Sequence, residues 1–203
     1  MANKTREGII MLKSIFKIFA GLVMIVTVLV GYIPEPQYLI ELTCISNMLG
    51  GILLLIDGIL NISKKSLPTN LYLNICLCIL VVFFVCIGSL SGFYKFNFSG
   101  AFFFLHVINP ILFVACYLFF CNDTNKKIKH ILIAPILIIL YLLFDYIQCN
   151  FTGAFVYGFV TPEQISLVYS AIIGIIIYMF MCLLAFGLLK ANKHMHKNRN
   201  YIC

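Results

Sequence analysis

The stretch LYLNICLCILVVFFVCIGSLSGF, residues 71–93, contains no charged side chain and decides the fold class. As an α-helix rising 1.5 Å per residue it extends ~34 Å, enough to cross ~30 Å of hydrocarbon. Five further apolar runs lie at 15–33, 39–61, 101–120, 130–148 and 164–189. Pro34 and Pro36 end the first; Lys64, Lys65 and Pro68 mark the second connection, and Asn122 to Lys129 the fourth. The chain is 63% hydrophobic and 10% charged, with a mean hydropathy of +1.06, outside the range of a soluble domain. The reading is an all-α polytopic membrane protein, a bundle of six transmembrane helices. It forms a single membrane domain over 1–203, with a basic cytoplasmic N-terminal segment at 1–14 and a basic cytoplasmic tail at 190–203.

A net charge of +7 invites a nucleic-acid partner, but the distribution of the charge argues against one. Lys4, Arg6, Lys13, Lys17, Lys64, Lys65, Lys126, Lys127, Lys129, Lys190, Lys193, Lys197 and Arg199 fall on one set of flanks; only Lys95 falls on the other. The positive-inside rule then places both termini in the cytoplasm, which requires an even number of crossings. A second span follows the first at once and no small-residue cleavage pattern precedes Pro34, so the first run reads as a retained helix. Cys44, Cys76, Cys78, Cys86, Cys116 and Cys182 sit within apolar runs, where a thiol behaves as a small hydrophobe. No metal-ligand spacing occurs, and no metal or cofactor is expected. The partners implied are membrane lipids. The bias toward Ile, Asn and Lys suits an AT-rich bacterial genome, hence a bacterial cytoplasmic membrane.

Polar groups inside these runs are the functional candidates, because burying them in hydrocarbon is costly. Leu42-Thr43-Cys44-Ile45-Ser46-Asn47 and Leu105-His106-Val107-Ile108-Asn109-Pro110 carry most of them. Counting from the span ends puts Thr43 ~6 Å, His106 ~8 Å and Asp145 ~5 Å below the outer surface, with Ser166, Tyr169 and Ser170 at similar depth. Four helices would thus share one polar layer. Thr43, Asn47, Gly50, Gly51, Leu54, Gly58 and Asn61 recur every three or four residues and form a small, polar stripe that should face other helices. Gly88 and Gly92 form a GxxxG suggestive of close packing. Pro110 lacks an N–H, so the His106 carbonyl should lose its helical partner and the helix should bend there. Asp57, Asn61 and Asn74 are expected near enough to the cytoplasmic edge to meet water or Lys64. His194 and His196 read as part of a solvated basic tail. Taken singly, Thr43 would ordinarily bond back to its own helix and Asn47 would bond across helices.

At these residues the chain resembles the bacterial relatives of the androgen-induced and androgen-dependent membrane proteins. Leu42–Asn47 looks like their Y-[FY]-T-x-x-S-N segment, and Leu105-His106-Val107-Ile108-Asn109-Pro110-Ile111-Leu112-Phe113 like their L-L-H-x-x-x-P-[IV]-L segment. Span number, motif order and the Ala134-Pro135 helix start also fit, so the resemblance covers nearly the whole chain. Two features depart from it. Cys116-Tyr117 stands where many relatives carry Asp-Trp, and Val156-Tyr157-Gly158-Phe159 is a reduced form of Y-P-Y-x-F.

Animal members of the family are membrane threonine hydrolases that cleave fatty acid esters of hydroxy fatty acids. The resemblance therefore implies Thr43 as nucleophile and His106 as base, acting on a lipid ester in the outer leaflet. Asn47, Asn109, Asp145 and Tyr169 are the accompanying binding candidates, with Asn47 or Asn109 available to an oxyanion. The alternatives are a non-catalytic lipid-binding or structural membrane protein and a small transporter. A transporter needs polar groups through both membrane halves, and the inner half offers few.

Overall fold

The computed structural model describes residues 2–89, 100–123, 127–158 and 166–199. Gly92, Lys95, Lys126, Phe159 and Gln164, named above, lie outside the described residues, as does the end of the tail from residue 200. Six helices are long and apolar enough to cross a membrane: α1 (Ala2–Tyr32), α2 (Leu42–Ile62), α3 (Thr69–Ser89), α4 (Gly100–Phe120), α5 (Ile128–Thr152) and α6 (Leu167–Arg199). The chain is a multi-pass helical membrane protein, and among the described residues no strand occurs.

Several boundaries differ from the hydropathy reading, each for a local reason. The basic segment 1–14 and the tail from 190 are not separate from their neighbours. α1 runs through the first from Ala2, and α6 continues through the second to Arg199. Both segments are rich in Lys, Met and Arg, good helix formers, and contain no proline to stop a helix. Residues 39–41 do not belong to α2. After Pro34 the chain forms a 3-10 turn, Pro36–Ile40, and α2 starts only at Leu42. α5 breaks at Ala134-Pro135, since proline cannot donate to the preceding turn; a short segment, Ile128–Ile133, precedes the main Ile136–Thr152 run.

α2 is the most buried helix and α6 the least. The expected stripe on α2 is buried from Thr43 through Gly58, and it lets α1 approach antiparallel at backbone contact. A β-carbon added at Gly21 would sit 2.7 Å from the Gly51 carbonyl oxygen; one at Gly58 would sit 3.0 Å from Ile18 N. Gly88 behaves differently. A β-carbon there would meet nothing within 4 Å among the described residues, and its GxxxG partner Gly92 lies outside them. The bundle centre is filled by Met24, Leu54, Tyr72, Leu77, Phe113 and Tyr117, with the Tyr72 and Phe113 rings stacked at 5.8 Å between centroids.

Two buried polar clusters lock the end of the bundle opposite Thr43. Asp57 was expected near water or Lys64. Instead it is 1% exposed and accepts from Lys17 Nζ at 2.6 Å, Tyr72 OH at 2.6 Å and Leu67 N–H at 2.6 Å. Lys17 is therefore no flank residue but an interior one, 3% exposed, while Lys64 reaches Glu7 on the surface. The second cluster gathers on Asp123, which accepts from Tyr117 OH and Thr69 Oγ1. Asn192 of α6 accepts from the Asp123 N–H and donates to the carbonyls of Tyr117 and Cys121 at 3.0 and 2.8 Å. The Tyr117 carbonyl also accepts from the Cys121 N–H at 3.3 Å, and Cys121 follows the last residue of α4, so the amide ties the end of α4 to α6.

Candidate functional site

The site assembles at the N-terminus of α2. The first N–H groups of a helix have no partner within it, and a Ser, Thr, Asp or Asn side chain usually caps them. Here Glu41 stands at the cap position without capping; its Oε2 accepts from Tyr32 OH at 2.7 Å. The caps arrive from distant tyrosines. Leu42 N–H donates to Tyr141 OH at 3.1 Å, and Thr43 N–H to Tyr157 OH at 3.1 Å. Tyr157 OH also shares a hydrogen bond of 3.1 Å with Thr43 Oγ1. Thr43 does not bond back to its own helix because, as its second residue, it has no helical carbonyl one turn before it.

Tyr157 reaches this position through the end of α5. Gly153 adopts a left-handed conformation (φ 77°) and caps the helix by donating to the Cys149 carbonyl at 2.8 Å. Asp145 Oδ1 then holds the returning chain through Val156 N–H at 2.8 Å. A β-carbon at Gly153 would meet no neighbour within 4 Å among the described residues, so its replacement tests backbone conformation. Gly153→Ala is expected to cost roughly 1–2 kcal/mol in thermal unfolding in detergent.

His106 is placed by an irregularity in α4. Phe104–Ile108 form a π-helical segment in which Asn109 N–H reaches back to the Phe104 carbonyl. The expected loss of a carbonyl partner near Pro110 is seen one residue earlier than anticipated. With Asn109 N–H shifted to Phe104 and no N–H on Pro110, the Leu105 carbonyl turns to Asn47 Nδ2 at 3.2 Å. The His106 ring stacks on Phe102 at 4.0 Å, and its Nδ1 lies 2.9 Å from the Phe102 carbonyl. A carbonyl only accepts, so the proton is on Nδ1 and the lone pair of the neutral ring is on Nε2.

Thr43 and His106 line one cavity of about 930 Å³ together with Tyr32, Glu35, Tyr38, Glu41, Tyr141, Asp145 and Tyr157. Its apolar side comes from α3, α5 and α6 and includes Val81, Val85, Ile138 and Ile177. No hydrogen bond joins Thr43 to His106 among the described residues. The other candidates separate. Asp145 lines the cavity. Asn47 and Asn109 are fully buried outside it. Both protons of Asn47 Nδ2 are engaged by the Thr43 and Leu105 carbonyls, and those of Asn109 by Thr27 Oγ1 and Asn47 Oδ1, so neither amide is free for an oxyanion. Tyr169 is 56% exposed and lies outside the lining.

The sequence reading missed Tyr141 and Tyr157. Tyr157 was signalled only by its position in the reduced Val156–Phe159 segment, and Tyr141 by its spacing one helical turn before Asp145. Burial pushes the Tyr157 phenol up to about 12, so near neutral pH it is an uncharged donor and acceptor, not a phenolate base. Burial also raises the Glu41 carboxyl, with the Tyr32 hydrogen bond opposing and the Glu35 carboxylate adding to the rise.

Fold and site together define a six-helix, multi-pass membrane protein with a partly polar cavity. No protein family, curated protein or solved structure matches the chain.

Proposed function

We propose that the chain is an intramembrane lipid-ester hydrolase with Thr43 as nucleophile and His106 as base. One observation carries this reading: a hydroxyl and an imidazole from different helices line the same cavity, the hydroxyl held by Tyr157 and the imidazole fixed with its Nδ1–H on a carbonyl. The resemblance of Leu42–Asn47 and Leu105–Phe113 to the membrane threonine hydrolases supports it. A threonine hydroxyl becomes a competent nucleophile only when a neighbouring base removes its proton. In the reaction, Thr43 Oγ1 attacks the ester carbonyl and its proton passes to His106 Nε2 through one bridging water. The imidazolium then protonates the departing alcohol, and water hydrolyses the acyl-threonine by the reverse proton path. Tyr141, whose O–H has no acceptor among the described residues, supplies the donor to the oxyanion, a contribution of the kind worth ~2.7–4 kcal/mol. By the charge asymmetry of the connections, the Thr43 end of the bundle faces the exterior of a bacterial cytoplasmic membrane.

The test offers purified protein long- and short-chain p-nitrophenyl esters and a fluorophosphonate probe. The parent is expected to turn over the esters and to label, and Thr43→Ala and His106→Ala to lose at least ~100-fold of turnover. Equal turnover in parent and variants would overturn the proposal. The absent direct Thr43–His106 bond favours a second reading, lipid binding without chemistry. In that case the parent does not label and Thr43→Ala costs only ~0.6–2 kcal/mol of stability.

A further inference from the structure

The polar lining of the cavity is one-sided in charge. Glu35, Glu41 and Asp145 all contribute, and among the described residues no lysine or arginine does. The ion pairs among the described residues, Lys17–Asp57 and Lys64–Glu7, lie elsewhere, so neither neutralises these three carboxyl groups. One oxygen each of Glu41 and Asp145 accepts, from Tyr32 OH and Val156 N–H; their second oxygens have no hydrogen-bond partner among the described residues. His106, the one basic group among the described lining residues, has its Nδ1–H on the Phe102 carbonyl.

A second, independent observation comes from Tyr141. It is 8% exposed, lines the cavity, and accepts from Leu42 N–H, yet its own O–H has no acceptor among the described residues. A buried hydroxyl proton left unpaired is costly, and a ligand oxygen would satisfy it. Tyr32, Tyr38, Tyr141 and Tyr157 stand in the same lining as the carboxyl groups. Tyrosine rings beside carboxylates form the type of environment that holds ammonium groups. The remaining lining is aliphatic, and about 930 Å³ is at the upper end of cavities that enclose one small ligand.

We infer that the cavity takes a single-chain amphiphile whose polar end is an ammonium group, with an acceptor oxygen for Tyr141, and that it rejects free fatty acids and other anionic lipids. This deepens the hydrolase reading by assigning the substrate class of the same site, but the carboxyl groups select charge whether or not Thr43 reacts. Among the described lining residues, a carboxylate or phosphate ligand would face three acidic side chains and no lysine or arginine.

The experiment uses the full chain in a maltoside detergent. Binding of dodecyltrimethylammonium, 1-dodecanol and dodecanoate is measured at equal mole fraction in the micelle, for the parent, Thr43→Ala, and the double variant Glu41→Gln with Asp145→Asn. The amide replacements keep the oxygens that accept from Tyr32 and Val156, so the fold is retained, and unchanged dodecanol binding verifies this. The parent is expected to bind the ammonium at least tenfold more tightly than the alcohol, and dodecanoate more weakly than either. Thr43→Ala should behave as the parent, whereas the double variant should lose the ammonium preference. Dodecanoate or dodecanol binding as tightly as the ammonium would overturn the inference, as would an undiminished preference in the double variant. Ammonium selectivity in a parent that turns over no ester would sink the hydrolase reading and leave this one standing.

Discussion

Asp57→Leu should destabilise the protein by ~3–5 kcal/mol, the cost of stripping a buried ion of its partner. The carboxylate accepts from Lys17, Tyr72 and the Leu67 N–H, and its own residue is 1% exposed. Its removal leaves a phenol and an amide unpaired and the ammonium with only Asn61 Oδ1, at 3.4 Å. Lys17→Met is the informative comparison. It removes the cation but leaves two donors on Asp57, so its cost should fall below that of Asp57→Leu. The double variant should not recover the parent's stability, because Tyr72 and Leu67 still lack an acceptor. A simple buried pair would recover, since apolar replacement of both partners is often neutral. Urea or thermal unfolding in detergent gives the ordering. Equal losses in the two single variants, with full recovery in the double, would show that Tyr72 and Leu67 contribute nothing.

The second large effect is expected where α1 and α2 touch. Gly21→Val should cost ~3 kcal/mol or more, at the upper end of overpacking penalties. A β-carbon there lies 2.7 Å from the Gly51 carbonyl oxygen and 2.8 Å from the Leu55 nitrogen. Both are backbone atoms of a helix and cannot rotate aside as a side chain could. Alanine is enough to create the clash, so Gly21→Ala should also destabilise. Gly174→Ala on α6 should do the opposite and stabilise by ~0.5–1 kcal/mol, because a β-carbon there meets nothing within 4 Å and alanine favours the helix. Paired melting curves of the two alanine variants test the sign directly. A stabilising Gly21→Ala would mean that the two helices are not in backbone contact.

The number of helices and the buried face of α2 were legible because each is written within one continuous segment. Apolar length marks the spans, and the recurrence from Thr43 to Gly58 marks the face. What escaped the sequence depends on partners far apart in the chain. Lys17 and Asp57, 40 residues apart, each look like an ordinary residue near a membrane edge, and only their meeting makes an interior pair. The tyrosine caps of α2 come from 99 and 114 residues away, and nothing local to Leu42 or Thr43 announces them. Asn47 and Asn109 show the opposite error. Their depth was read correctly as interior, but an amide's depth does not say whether its protons remain free. Here the neighbouring carbonyls and hydroxyls engage them all. Pro110 announced a disturbance in α4, but the donor that meets the Leu105 carbonyl at the π-helical turn, Asn47 Nδ2, comes from 58 residues away.

That wide turn, Phe104–Ile108, also divides α4 into two lengths with independent rotational settings. Each residue added to or taken from a helix swings everything beyond it by ~100° about the axis. Excising a single residue from 104–108 would therefore carry the imidazole away from the chamber while Asn109, Phe113 and Tyr117 kept their seats. The same geometry lets one end of this helix acquire new chemistry while the other goes on holding the bundle together.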